Sequence, residues 1–397
     1  MVLALPALGC GKPGAGASSP SGQSGEEGGL EAKFEREADP VQKHVVKGGD
    51  AFTAYIESTV APTIERKEQG VTVTVDLGWE SPVQCFIYDH VIDAGSAANT
   101  MLRAAAKDVK FKALSPYFID HQALDPVLAI RGVYHVEREG TLLAGDFKLM
   151  VMPRPELPML CWHDAPGYAK SFARVTSEFA KSFQFKSTQP KPMRGELWIV
   201  ELDDLPIGFS RDTTYSMEDG NVRRVSLAAR FLPTGPGEMS FDDDVEVITS
   251  DKEGSLVTGK YFSTENGETG LTIDIERTKQ GYNYVGTIQN KEVKGSFKSK
   301  QALKARYASE KKFKALAALG KKAKFEQLEY VPSIDAAGGS KVLYEVSPAD
   351  GELSIVSSMG QRSMTMRANG RGVVKQLVMA IGSKKVEVNL VEESGEL

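Results

Sequence analysis

The side chains with most chemistry to offer are Cys161 and His163, two apart in Leu160-Cys161-Trp162-His163-Asp164. On a strand, positions i and i+2 face the same way, so thiol and imidazole would converge there. Joined by a second histidine such as His90, they would form a thiol–base pair for nucleophilic chemistry, or a set of metal ligands. A hydrolase or metalloenzyme is one reading on that basis. The opposing reading is structural. Cys-x-His alone matches no known ligand run, and four of the five histidines stand beside acids: Asp89-His90, Asp120-His121, His135 close to Glu137, and His163-Asp164. Such pairs suit turns and caps. The chain also lacks a P-loop, a dinucleotide fingerprint, a nucleophile elbow and a zinc-protease helix motif. The balance falls against catalysis, and no cofactor is expected.

Two charged clusters invite other functions. The chain is acidic overall, with 48 Lys+Arg against 53 Asp+Glu, yet residues 291–326 are strongly basic. Lys304, Arg306, Lys311, Lys312 and Lys314 would form a positive face over an apolar stripe of Leu303, Tyr307, Phe313, Leu316 and Ala317. Such a face could meet anionic lipid headgroups or an acidic envelope protein, and its bland alternative is a solvated helix surface. Nucleic acid is not expected, because no stacking aromatics interleave the charges. Asp242-Asp243-Asp244 with Glu246 could invite a calcium ion, but the run lacks the glycine and terminal glutamate of a calcium loop. It is read as a turn between strands.

The elements that must position these residues form an α+β chain. Asp50 to Val60 reads as a helix, with Phe52, Ile56 and Val60 at helical spacing. Val71 to Leu77 alternates as a half-buried strand, Val83 to Tyr88 is a second, and Asp93 opens a helix. Strands over 127–136 and 141–152 follow. Asp164 and Pro166 then open a helix whose face holds Tyr168, Phe172, Val175, Phe179 and Phe183. This predicts an N-terminal α/β sandwich with an antiparallel sheet over residues 34–187. A polar, proline-bearing linker at 188–193 separates it from residues 194–397, where turn signals such as 218–221, 233–237, 265–267 and 279–281 mark an antiparallel β domain. One helix, near 300–319, interrupts that domain and stops at Gly320.

Three cysteines bear on compartment. Cys10 ends Ala7-Leu8-Gly9-Cys10 after a short apolar start, and residues 11–29 are a Gly/Ser/Pro-rich tether, within an unfolded segment 1–33. Gly9-Cys10 followed by a tether resembles a bacterial lipoprotein N-terminus whose signal begins further upstream. That resemblance implies lipidation of Cys10 and an extracytoplasmic protein anchored to a bacterial membrane, the outer more than the inner. Cys85 and Cys161 remain as a possible disulfide, or as two buried thiols. No segment approaches the roughly 18 apolar residues that span a bilayer.

The element order of the first domain resembles the PsbP- and DcrB-type envelope sandwich. The opening of the second, Trp198-Ile199-Val200, Asp203-Asp204, Ile207-Gly208-Phe209, is similar to β-domains that accompany transglutaminase-like modules. Its size and strand content also resemble the LolA/LolB lipoprotein carriers. These likenesses imply binding or assembly, so the expectation is a non-catalytic envelope lipoprotein that binds or scaffolds at the membrane surface. The alternatives are a carrier or sensor of an apolar ligand such as lipid in the β domain, and the Cys161/His163 enzyme.

Overall fold

Apolar residues at every second position decide most of this fold. The computed structural model describes residues 36–37, 42–107, 109–138 and 141–395. Cys10 and the tether lie outside the described residues. The chain opens with a hairpin, β1 (Gln42–Lys47) and β2 (Thr53–Ser58). The helix expected over 50–60 is therefore a strand, in which Ala54, Ile56 and Ser58 are buried while Tyr55 is exposed. A spacing of four is also a multiple of two, so Phe52 and Ile56 satisfy both periods. Packing of the alternate face decided between them.

A seven-stranded antiparallel sheet follows, from β3 (Thr63–Lys67), β4 (Gly70–Val75), β5 (Val83–Tyr88), β6 (Lys110–Gln122), β7 (Asp125–Arg138), β8 (Thr141–Met152) and β9 (Met159–Asp164). Its order is β3-β4-β5-β9-β8-β7-β6. Helix α1 (Ala94–Ala105) lies between β5 and β6 in the chain, and α2 (Ala169–Lys181) follows β9. The sheet is apolar on both faces. Cys85, Met150, Met152 and Cys161 face α2 and the β1–β2 hairpin, whereas Leu128, Ile130, Leu149 and Val151 face the other way.

A second antiparallel sheet, of fourteen strands, is a continuous meander in two wings. One wing holds β10 (Arg194–Leu202), β11 (Leu205–Ser216), β12 (Val222–Gly235), β13 (Glu238–Ser250), β14 (Leu256–Glu265), β15 (Glu268–Arg277), β16 (Gly281–Ile288) and β17 (Lys291–Lys298). Helix α3 (Arg306–Leu319) comes next. The other wing holds β18 (Ala323–Glu329), β19 (Ser340–Ala349), β20 (Glu352–Met359), β21 (Arg362–Ala368), β22 (Val374–Ile381) and β23 (Lys384–Gly395). First and last strands, β10 and β23, pair at the centre and join the wings. The turn Asp203-Asp204 has both residues at positive φ (48° and 68°), the primed geometry that suits a two-residue hairpin.

The wings also meet across the segment before α3. Leu256 N–H donates to Leu303 O (2.8 Å), while Lys304 N–H donates to Leu328 O (2.6 Å), so residues 303–304 are bonded to β14 on one side and β18 on the other. The sheet is thereby curled, with α3 against its inner face, where Phe313 packs among Tyr344, Val346 and Leu377. Two glycines seat that helix. At Gly254 (φ 73°) an added Cβ would lie 2.8 Å from Ala308 Cα, and at Gly372 (φ 78°) 2.5 Å from Lys314 Cα. Only glycine fits both the backbone angle and the approach.

The two sheets share one core. Strand β10 is buried on both faces: Trp198 and Val200 face α3 and the far wing, while Leu197 and Ile199 join Leu128, Leu149 and Phe231 between the sheets. Helix α1 sits in the same layer, and its N-terminus is capped from a distance. Asp93 offers no side-chain cap; instead Asp243 of β13 accepts from Gly95 N–H (2.7 Å) and Ser96 N–H (2.9 Å). Asp243→Ala is expected to cost about 1 kcal/mol, the usual worth of a cap, seen as a lower urea midpoint. An unchanged midpoint would show that the cap adds nothing.

Candidate functional site

Cys161 has no thiol to offer. It is bonded to Cys85, its directly registered partner across β5 and β9, with a Cα separation of 4.0 Å. The reading of Cys161 as nucleophile or thiolate ligand therefore fails, and the open choice between bridge and free thiols closes in favour of the bridge. His163 is buried, 4.8 Å from the Trp79 ring and stacked on Phe172 at 6.5 Å. Burial foremost, and then the Lys148 charge opposite it, push its pKa down to about 3. His90 is exposed and paired with Asp89 at 3.0 Å. Among the described residues no group of three or more His, Cys, Asp or Glu is placed to hold a metal.

A neutral buried histidine has a stability signature. The unfolded chain takes up a proton near pH 6.5 and the folded one only near 3, so acid favours unfolding between those limits. The urea midpoint is expected to fall more steeply with acid in the native protein than in His163→Phe, where this proton uptake is absent. Parallel pH profiles would contradict it.

Lys148 beside it is fully buried, and its ammonium donates to the carbonyls of Asp146 (2.7 Å), Ala165 (2.6 Å) and Gly167 (2.8 Å). All three protons are used, so it ties the chain after β9 to the sheet. The expected α2 start also shifts. Asp164 ends β9, Tyr168 stands at positive φ (62°), and Glu37 caps the helix by accepting from Lys170 N–H (3.0 Å) and Ser171 N–H (2.7 Å). The cap lies more than a hundred residues upstream, beyond any local motif.

The acidic run is no turn. Asp242, Asp243 and Asp244 stand in mid-strand β13, and each has a partner there. Arg230 meets Asp242 (3.6 Å) and Asp244 (2.6 Å) on one face, while Asp243 caps α1 on the other. Period-two alternation separates like charges that are adjacent in sequence.

The basic cluster divides as well. Lys311, Lys312 and Lys314 are exposed, and Lys312 lies over the Phe325 ring (4.2 Å). Lys304 is half-buried and donates to Ser255 Oγ (2.9 Å). Arg306 does not belong to an exposed face. Its side chain is 16% exposed and points into the curled sheet, to Glu310 (2.7 Å), Asp212 (3.2 Å) and Glu196 (3.3 Å). Arg194 and Arg224 complete the network, the latter 2.5 Å from Asp212. Burial would raise Asp212, but Arg224 and Arg306 more than offset it and hold the carboxyl below its ordinary range. Burial keeps Glu196 above its own, even with Arg306 and Arg194 beside it.

Two cavities adjoin Arg306 at the start of α3. The first, about 120 Å³, is bounded by Phe313, Val342, Tyr344, Val374 and Leu377, with the thioethers of Met359, Met364, Met366 and Met379. The second, about 380 Å³, is mixed in character and includes Arg230, Glu246, Tyr261, Lys304 and Tyr330. Arg306, Glu329 and Arg362 line both. Sequence reasoning passed over every one of the cavity methionines. The available signal was Met364-Thr365-Met366, two thioethers on one strand face, with two more in neighbouring strands.

No described helix is long and apolar enough to cross a membrane. No family model matches the chain, and no curated protein matches it either. Among solved structures it is similar to a β-barrel-like protein of the domain of unknown function DUF1849 from Brucella abortus, at 11% identity and a TM-score of 0.40, over 52% of this chain and 99% of that one.

Proposed function

We propose that this is a non-catalytic binding protein of the bacterial envelope, in which the curled sheet holds a small apolar ligand beneath α3. The observation that carries the reading is the cavity lined by four methionine thioethers between α3 and strands β19 to β22. A cavity of ~150 Å³ accepts a ring the size of benzene, and the space here, apolar on its methionine side and open beside Arg362, is about 120 Å³. Methionine adapts its three rotatable bonds and polarizable sulfur to ligands of varied shape, and it is common on promiscuous binding surfaces. The envelope assignment draws support from the Cys85–Cys161 disulfide, since such bonds persist in oxidising compartments.

Methyl-labelled methionine resonances report binding directly, because four of the twelve methionines line the cavity. Benzene is expected to shift Met359, Met364, Met366 and Met379 saturably and to leave the others in place. Titration without such shifts removes the reading. Anchoring is tested by growing cells with an alkyne-tagged palmitate: Cys10 should carry the label, and its absence from full-length protein would leave the domains unanchored by lipid.

A further inference from the structure

The apolar cavity and the mixed cavity meet at three charged side chains, and these differ in what they have left to bind. Arg306 is engaged by Glu196, Asp212 and Glu310. Glu329 accepts from Tyr344 Oη (2.7 Å) and Gln327 Nε2 (2.6 Å). The guanidinium of Arg362, at the start of β21, makes no hydrogen bond or ion pair with any described residue. A cation with five donors thus stands unengaged where an apolar cavity opens.

Resting on the binding reading above, we propose that the ligand is a single-chain amphiphile with an anionic head, its chain among the methionines and its carboxylate or comparable group on Arg362. Arginine suits this role because its planar fork pairs both oxygens of a carboxylate at once. Ser357, buried on the cavity face in register with Met364, adds a hydroxyl donor to the same lining. The mixed cavity behind holds the carboxylates of Asp242, Asp244, Glu246 and Glu265. Arg230 answers Asp242 and Asp244, and Lys304 and Arg306 line the same space, so the mixed cavity carries charges of both signs. The apolar lining lies on the methionine side of Arg362, so a chain seated there puts its head at the junction. The cavity volume suits roughly six carbons, by comparison with benzene in a site of ~150 Å³, so the ligand end that enters is short.

The test compares octanoate, octanol and octylamine, three heads on one chain, by calorimetry and by the same methionine methyl shifts. Octanoate is expected to bind at least about tenfold tighter than the other two, and Arg362→Gln to remove about that tenfold while leaving octanol unchanged, the size of effect a hydrogen bond to a charged group gives. Arg362 is exposed, so the variant should fold as the native protein does. Met364→Trp, which fills the cavity, should abolish all three sets of shifts. Equal affinities, tighter octylamine, or an unaffected Arg362→Gln would each overturn the anionic-head assignment, even where benzene still shifts the four methyls. Loss of the benzene response as well would instead remove the binding reading beneath it.

Discussion

Replacing Cys85 and Cys161 together by alanine is expected to lower stability by about 4 kcal/mol, the chain-entropy value for a loop of this length. The bond closes a separation of 76 residues. That loop contains α1, β6, β7 and β8, so the unbridged denatured chain gains the freedom of most of the small sheet. Both sulfurs are fully buried against α2, and alanine adds a modest loss of packing to the entropic term. Equilibrium unfolding in urea, with native protein in the presence and absence of reductant beside the double variant, measures it. Reduced native protein and the variant should agree. A variant midpoint equal to that of the oxidised protein would mean that the bridge constrains nothing the fold does not already constrain.

Arg306→Met is expected to be of similar size, about 3–5 kcal/mol, because it removes one member of a buried charge network and leaves its partners uncompensated. Arg306 bridges Glu196, Asp212 and Glu310, and the methionine variant leaves these three to Arg194 and Arg224, the former of which also answers Glu393. Arg306→Lys should recover little, since an ammonium cannot face three carboxylates as the planar fork does. By contrast Lys312→Met, on the exposed side of the same helix, should stay within about 0.5 kcal/mol. Arg306→Met and Lys312→Met with equal midpoints would show that the network is not what holds α3.

How much of this was legible follows from where the partners lie. Much of the β-rich second half was readable, because strands such as β15, β19 and β20 alternate and most turns carry their own glycine or asparagine; β10, buried on both faces and followed by Asp203-Asp204, does neither. Leu271, Ile273 and Ile275 are buried as their alternation requires. What was missed depends on partners remote in sequence. The run at Asp242 was misplaced because Arg230 and the α1 N-terminus, which neutralise it, come from elsewhere. Arg306 was counted with its lysine neighbours because nothing local distinguishes an arginine that turns inward. The cavity was invisible for the same reason: its walls come from α3 and five strands, and methionine is as ordinary in a filled core as beside a cavity. Strand β6 also went unread, since its bulges at Phe111/Ala113 and Pro116/Phe118 break the alternation that would have marked it.

The core between the two sheets bears on how the protein comes apart. A change at Asp243 reaches a helix of the other sheet, and Leu197, Ile199, Phe209 and Phe231 gain their burial in a layer shared with residues of β7 and β8. Neither sheet can therefore melt and leave the other unharmed: loss of one strips apolar cover from the other. Heating should give one cooperative transition for the whole body, and a protease cut at 188–193 should leave the two pieces associated.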